Sequence, residues 1–316
     1  MKRSLHAASL AVLLFASLAA CAPEAKPVAV EEPAAPAAPT IAPVPASSDV
    51  HPFAIGAFQA AALRDGGGEF PNDNKTVAIN KKKADVDAVL TANGLPTDKL
   101  SLSIQPLLVR TVDKVLLFDT GAASSFGPGA GKLPASLTAA GVEPGAITDI
   151  FISHGHGDHV GGLVTAEGAL AYPNATIHLS EAEWAAIQAD KTLAALVTAV
   201  TPKVAAFAPG ADVVPAVKAV DIRGHTPGHS GYLISSGDQS LLYIGDTMHH
   251  SVISVQQPDW TIAFDGDAPT AQGSRKQLLA DTAASGQRIY AVHFPFPGLG
   301  KFVKEGETFK WVPEAS

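Results

Sequence analysis

Directly after the apolar run Asp149-Ile150-Phe151-Ile152, the chain reads Ser153-His154-Gly155-His156-Gly157-Asp158-His159-Val160-Gly161-Gly162. Four side chains able to ligate a metal crowd into this stretch. The glycines between them let the backbone turn tightly enough to aim several of them at one point. Imidazole and carboxylate donors together suit zinc, and also manganese, iron or cobalt. A string H-x-H-x-D-H arises by chance in about one such chain per thousand, so the stretch reads as a metal site rather than a polar loop. One loop cannot complete a two-metal site, so the fold has to bring further donors to it from other strand ends.

Three such places are visible. Gly224-His225-Thr226-Pro227-Gly228-His229 is a Pro/Gly turn with two histidines, Gly245-Asp246 follows the apolar run Leu241 to Ile244, and His293 follows Ile289 to Val292. Around them the pattern alternates. Strands are expected at 103–109, 114–118, 146–153, 176–179, 217–222, 231–235, 240–244 and 288–292, and helices at 132–140, 180–189 and 275–285. Ser180 with Glu183 three residues on reads as a capping box opening the second of these helices. Strands interleaved with helices, with polar clusters just past strand ends, favour a layered α/β architecture.

The start of the chain reads differently. Lys2 and Arg3 precede the short apolar run Leu10 to Leu18, and Leu18-Ala19-Ala20-Cys21 ends in the only cysteine. Residues 1–21 resemble a bacterial lipoprotein signal peptide, with Cys21 the residue to be lipidated. Residues 22–48, rich in Ala and Pro, read as a semi-rigid tether. A single domain is expected over 49–316. The reading is of an exported protein in the periplasm or at the outer membrane, touching the membrane only through its N-terminal anchor. The 316 residues, 47% of them hydrophobic, suffice for one substantial core, and a net charge of −8 argues against nucleic acid as a partner. Lys81-Lys82-Lys83 is the longest basic run and reads as a solvated surface.

The order H-x-H-x-D-H, G-H-T-P-G-H, G-D after a strand, then a late His resembles the metallo-β-lactamase fold superfamily. The resemblance covers roughly residues 119 to 293 and implies an α/β (α+β) fold, a four-layer αββα sandwich with two metals at one edge. Carried onto this sequence it implies that His154, His156 and His229 hold one metal. Asp158, His159 and His293 then hold the other, and Asp246 bridges them. Asp119 steadies the histidine loop from behind, and His225 is structural. The implied cofactor is two Zn2+, with Mn, Fe or Co as alternatives. Asp158 and Asp246 become the catalytic carboxylates that orient an attacking hydroxide and accept its proton.

The resemblance also bears on the substrate. β-Lactamases of the fold generally carry Cys or Ser at the bridging position, so Asp246 turns the reading towards ester, lactone, thioester or phosphoester hydrolysis. Acyl-homoserine lactonases place a Tyr shortly after this Asp, where this chain has Thr247, Met248, His249 and His250. The run Asp246 to His249 and the tail His293 to Gly300 resemble the methyl parathion hydrolase branch, beside the quorum-quenching lactonases. Phe126, Trp184, His249 and Phe294 are the pocket residues this implies. The expected substrate is a small apolar ester, lactone or organophosphate. The alternatives are an iron-dependent oxidoreductase of the same fold, like the persulfide dioxygenases, and a β-lactamase. A homodimer is left open.

Overall fold

The computed structural model describes residues 41–315; the expected signal peptide and most of the tether lie outside them. Val44, inside the expected tether, is 4% exposed within the core, so the packed domain begins a few residues ahead of 49.

Strands β1 (Val50–Ile55) and β2 (Phe58–Leu63) form an antiparallel hairpin. β3 (Gly66–Pro71) and β4 (Lys99–Ile104) leave it to pair with each other as a separate ribbon, with helix α1 (Lys83–Ala92) between them in sequence. The chain then returns through β5 (Leu107–Arg110) and β6 (Val115–Phe118). Helix α2 (Leu133–Ala139), β7 (Asp149–Phe151), the single turn α3 (Gly157–Val160) and β8 (Thr176–Ser180) follow. Helices α4 (Glu181–Ala189) and α5 (Ala194–Val200) and strand β9 (Val204–Phe207) complete a seven-stranded sheet, ordered β1-β2-β5-β6-β7-β8-β9.

The second sheet takes β10 (Asp212–Val214), β11 (Val217–Asp221), β12 (Ser230–Ser236) and β13 (Gln239–Tyr243). After helices α6 (Ile253–Gln256) and α7 (Ala268–Ser285) come β14 (Ile289–Tyr290), β15 (Leu299–Glu305) and β16 (Thr308–Pro313), adjacent in that order.

The two sheets pack face to face. Phe118 and Phe151 of the first stack at 4.7 Å and meet Tyr232 and Tyr243 of the second. Each such ring contributes about 2 to 3 kcal/mol by leaving water, which makes this layer the spine of the molecule. A second core lies between the first sheet and its helices, through Leu117, Leu137, Ile150 and Ile187, and a third between the other sheet and α7, through Leu242, Leu279 and Ile289. The result is the expected four-layer sandwich. Among the described residues no helix is long and apolar enough to cross a membrane.

Several expected elements shift. The strand read over 103–109 is broken between β4 and β5 at Gln105-Pro106, because proline has no N–H for the ladder and the Gln105 amide turns inward to donate to Ala291 O and Phe294 O. Helix α7 starts seven residues before the expected 275, capped by Asp267, whose carboxylate accepts from Thr270 N at 3.2 Å. Pro269 in its first turn is a helix start signal, but Gly273 dilutes the apolar period there. The capping box at Ser180 is half formed. Its hydroxyl accepts from Glu183 N at 3.1 Å, but the Glu183 carboxylate is drawn elsewhere.

Parallel pairing of β6 with β7 brings the ends of both to one edge, at Asp119 and Ser153. Parallel pairing of β13 with β14 does the same in the facing sheet, delivering Asp246 and His293.

Candidate metal centre

Two groups of potential ligands meet at this edge: His154, His156, His225 and Asp246, and then Asp158, His159 and His293. In the first, His156 Nδ1 lies 2.9 Å from His154 Nε2 and 3.0 Å from His225 Nε2, and His154 and His225 are 3.2 Å apart through Nε2. Ligand nitrogens on a tetrahedral zinc sit about 3.3 Å apart, so the trio is spaced as a cation's first coordination sphere. In the second group, Asp158 Oδ2 is 3.5 Å from Nε2 of both His159 and His293.

Asp246 faces both. Its Oδ1 is 3.1 Å from His159 Nε2 and 2.9 Å from His293 Nε2, while its Oδ2 is 3.4 Å from His225 Nε2 and 3.7 Å from His154 Nε2. The buried atoms His159 Nε2, His293 Nε2 and Asp246 Oδ1 have no hydrogen-bond partner in the protein. Unpaired buried polar atoms are costly, and donors turned to a common point are what a cation satisfies.

The second nitrogen of most of these rings is tied. His159 Nδ1 meets Asp119 Oδ2 at 2.7 Å, His225 Nδ1 meets Asp265 Oδ1 at 3.0 Å, and His293 Nδ1 donates to Ser103 O at 2.7 Å. Such partners fix ring orientation and leave Nε2 free for a metal. Asp119 does more: its carboxylate also accepts from Ser153 N, Ser153 Oγ and Tyr243 Oη, all within 2.7 Å, from a backbone at φ +57.

Charge follows position. Burial pushes His154 and His156 below the ordinary imidazole range. Burial would lower His159 too, but Asp246, Asp158 and Asp119 outweigh it and hold that ring well above the usual value. Burial would raise Asp246, yet the surrounding imidazoles hold it well below the carboxylate range. The first group thus has neutral rings beside an ionised carboxylate, the state that ligates a divalent cation, while in the second group the carboxylates hold His159 and His293 towards the charged form, a proton that a bound cation would replace.

Six of the seven expected ligands converge; the seventh does not. His229 was expected to ligate and His225 to be structural, but His225 stands in the cluster and His229 outside it. His229 Nδ1 donates to Ile222 O at 2.8 Å, and its Nε2 accepts from Asp246 N at 2.9 Å. Both nitrogens are consumed by backbone, so the ring braces the turn before β12 instead of facing the cluster. Gly245 permits this: at φ +47, a Cβ there would lie 2.5 Å from His229 Nε2.

Above the centre opens a cavity of about 560 Å3 whose floor includes His156, Asp158, Asp246 and His293. Its walls are apolar: Phe70 and Leu102 from the β3–β4 ribbon, Phe126 from the loop after Asp119, and Ala263 and Phe264 from the segment before α7. His249 also lines it, with Nε2 3.1 Å from Asp246 Oδ2 and both ring nitrogens free of hydrogen bonds. Of the expected pocket residues, Phe126 and His249 are therefore at the cavity and two are not. Phe294 is fully buried against Phe302 and Trp311, because its segment turns inward after His293. Trp184 lies on α4 and packs against the core beneath the first sheet.

Other residues escaped the sequence reading. The Glu183 carboxylate accepts from Gly155 N at 2.8 Å, Gly228 N at 2.9 Å and Thr226 Oγ1 at 2.7 Å, clamping the loops of His154 and His225 together. Buried Asp65 accepts from Ala122 N and Leu133 N at 2.8 Å each, holding both ends of the Phe126 loop.

Comparison with known proteins places this arrangement. A family model described as Metallo-beta-lactamase superfamily matches residues 103–290. Among solved structures, the chain is similar to AidC, described as a dizinc quorum-quenching lactonase in complex with a product. The identity is 30% and the TM-score 0.81, over 84% of this chain and 98% of that one. It is similar to the hydrolase AbOPH, described as in the beta lactamase superfamily, at 27% identity and TM-score 0.79, over 86% and 99% of the two chains. A quorum-quenching N-acyl homoserine lactone lactonase shares the fold at 20% identity and TM-score 0.57, over 79% of this chain and 100% of that one. No curated protein sequence matches.

Proposed function

Since the chain belongs to the metallo-beta-lactamase superfamily and is a metal-dependent hydrolase, we propose that it is a dinuclear zinc enzyme that cleaves lactones or esters bearing an apolar substituent. Asp246 carries this reading, because one of its oxygens faces each ligand group. His154, His156 and His225 would hold one cation and Asp158, His159 and His293 the other. A pair of cations there supplies Lewis acidity and a water acidic enough to ionise near pH 7, against 15.7 for bulk water. Mn, Fe or Co fit the same donors less specifically.

The protein's own groups do the rest. Asp246 and Asp158, held ionised, orient the nucleophile and take up its proton. His249, at the cavity wall with no hydrogen bond to either ring nitrogen, donates a hydrogen bond to the substrate's carbonyl or leaving-group oxygen. The walls strip water from an acyl or aryl tail while the scissile bond rests on the floor. The lactonase named among the similar structures supports this substrate class. A phosphotriester with apolar arms is the second substrate class that the same hydroxide chemistry and apolar walls would serve.

The test is metal analysis of the purified chain together with a screen of aryl esters, lactones, phosphotriesters and β-lactams. Two zinc ions per chain with turnover of lactones or esters is the expected result. Iron with oxygen-dependent turnover, or loaded protein inert on the whole panel, overturns the reading. We also propose, from the sequence, that Cys21 is lipidated and holds the enzyme at the outer membrane or in the periplasm. Cys21→Ser should then release it from the membrane fraction.

A further inference from the structure

The dinuclear reading leaves unexplained a charged pair buried behind the centre. Arg275 is among the largest fully buried side chains, at 1% exposure, and Asp265 is buried with it. A buried ion pair is a weak source of stability, since desolvating the charges cancels most of their attraction. The pair's geometry points to another role.

Arg275 reaches three segments at once. Its Nε donates to Thr247 O at 2.8 Å, on the turn that carries Asp246. Its Nη1 donates to Pro258 O at 3.0 Å, at the start of the segment that runs on to the cavity wall at Ala263 and Phe264. Its Nη2 donates to Asp265 Oδ2 at 2.9 Å, and the other Asp265 oxygen meets His225 Nδ1. Backbone bonds tighten the same strap, from Gly266 N to His225 O at 3.0 Å and from Asp267 N to Gly224 O at 2.8 Å. Gly224, at φ +119, lets the strap close, because a Cβ there would collide with the backbone of Ala271.

We propose that Asp265 and Arg275 are positioning residues that fix His225 as an Nε2 donor and hold it in register with Asp246. The proposal rests on the dinuclear reading of the site. The chemistry is tautomeric: an imidazole that ligates through Nε2 keeps its proton on Nδ1, and Asp265 accepts that proton's hydrogen bond. Arginine is required behind it because its planar fork serves three acceptors in fixed directions, which a lysine ammonium cannot. The strap also joins His225 to Phe264, so the donor and one wall of the cavity move as one piece.

Zinc and cobalt(II) titration of the full chain against a chromophoric chelator tests this, read as two binding steps with the cobalt visible spectrum beside them. Asp265→Asn should weaken one step by about 10- to 100-fold, leave the other unchanged, and alter the cobalt bands of that step alone. Arg275→Lys should weaken the same step by less. In the cobalt-loaded wild type, the shifted His225 Nδ1–H signal should exchange slowly with solvent, a reading that holds even if Asp265→Asn fails to fold. Unchanged binding in folded Asp265→Asn, equal weakening of both steps, or rapid exchange of that proton in the wild type each overturn the proposal. A wild type that binds no second metal refutes the dinuclear reading instead, which keeps the two failures distinct.

Discussion

In and just beneath the floor of the cavity, His159, His225 and His293 are each locked through the second ring nitrogen, to Asp119, Asp265 and Ser103 O. On the walls, Phe126 and Phe264 are 38% and 47% exposed; hydrogen bonds anchor the loops that carry them, but the rings themselves have no polar atom and are held by packing. The floor is over-determined because a ligand displaced by half an ångström no longer binds the same cation. The walls need only exclude water and suit a tail, which tolerates motion and substitution. Reaction type is thus fixed where hydrogen bonds converge, and substrate choice where they are absent.

The largest effect should come from breaking the floor at its shared member. Asp246→Asn should cut turnover by about 10,000-fold or more, with circular dichroism unchanged. Activity within tenfold of wild type would place the chemistry elsewhere. Next comes the exchange of roles between His225 and His229. His225→Gln should lower affinity for one of two metals by about 100-fold. His229→Gln should keep two metals per chain while costing about 2 kcal/mol of stability, from the bonds it forfeits to Asp246 N and Ile222 O. The opposite pattern in metal content would restore His229 as the ligand.

That exchange shows where the sequence stopped being legible. His154 to His159 could be read because four donors and their glycines are contiguous, and Asp246 and His293 because each stands just past an apolar strand; Asp119 entered only through the family resemblance. His225 and His229 flank one Pro227-Gly228 turn, and nothing local says which side of it faces the cluster. The deciding contacts are to Ile222 O and Asp246 N, backbone groups that acquire positions only when the second sheet assembles. Asp265, Arg275, Glu183 and Asp65 were hidden for the same reason: their partners are distant in sequence. The walls were harder still. Phe70 and Leu102 come from a ribbon whose Gly66-Gly67-Gly68 start has no side chains to mark a strand, and Phe294 and Trp184 were equally apolar candidates that folding sent into the core.

Breaking a wall should be milder and selective. Phe264→Ala should raise KM about tenfold for substrates with long apolar tails, near 1.4 kcal/mol of lost contact. With a short-tailed substrate KM should stay within twofold, and kcat should hold for both. Phe126→Ala should act in the same direction. Equal loss for short and long substrates would mean that the wall shapes the floor rather than the tail site.

A pH series separates the acid sensitivity of the scaffold from that of the centre. His250 is not a ligand; its Nδ1 accepts from Val252 N and Ile253 N at 3.2 Å each, anchoring α6. Burial lowers its pKa to about 4, and burial lowers the structural His229 to about 4 as well. For a folded pKa below the unfolded one, near 6.5, the unfolded chain binds protons first, so stability is full above pH 6.5 and falls as pH drops towards 4. Each such group costs about 1.4 kcal/mol per pH unit in that window. Metal-saturated wild type should therefore lose about 3 kcal/mol between pH 7 and pH 5.5 from these two rings. His250→Asn can still accept from the start of α6 but does not titrate, so it should lose only about half as much. Urea midpoints at the two pH values give the difference. A wild type whose midpoint does not move over that range would mean that neither ring is held neutral by its burial.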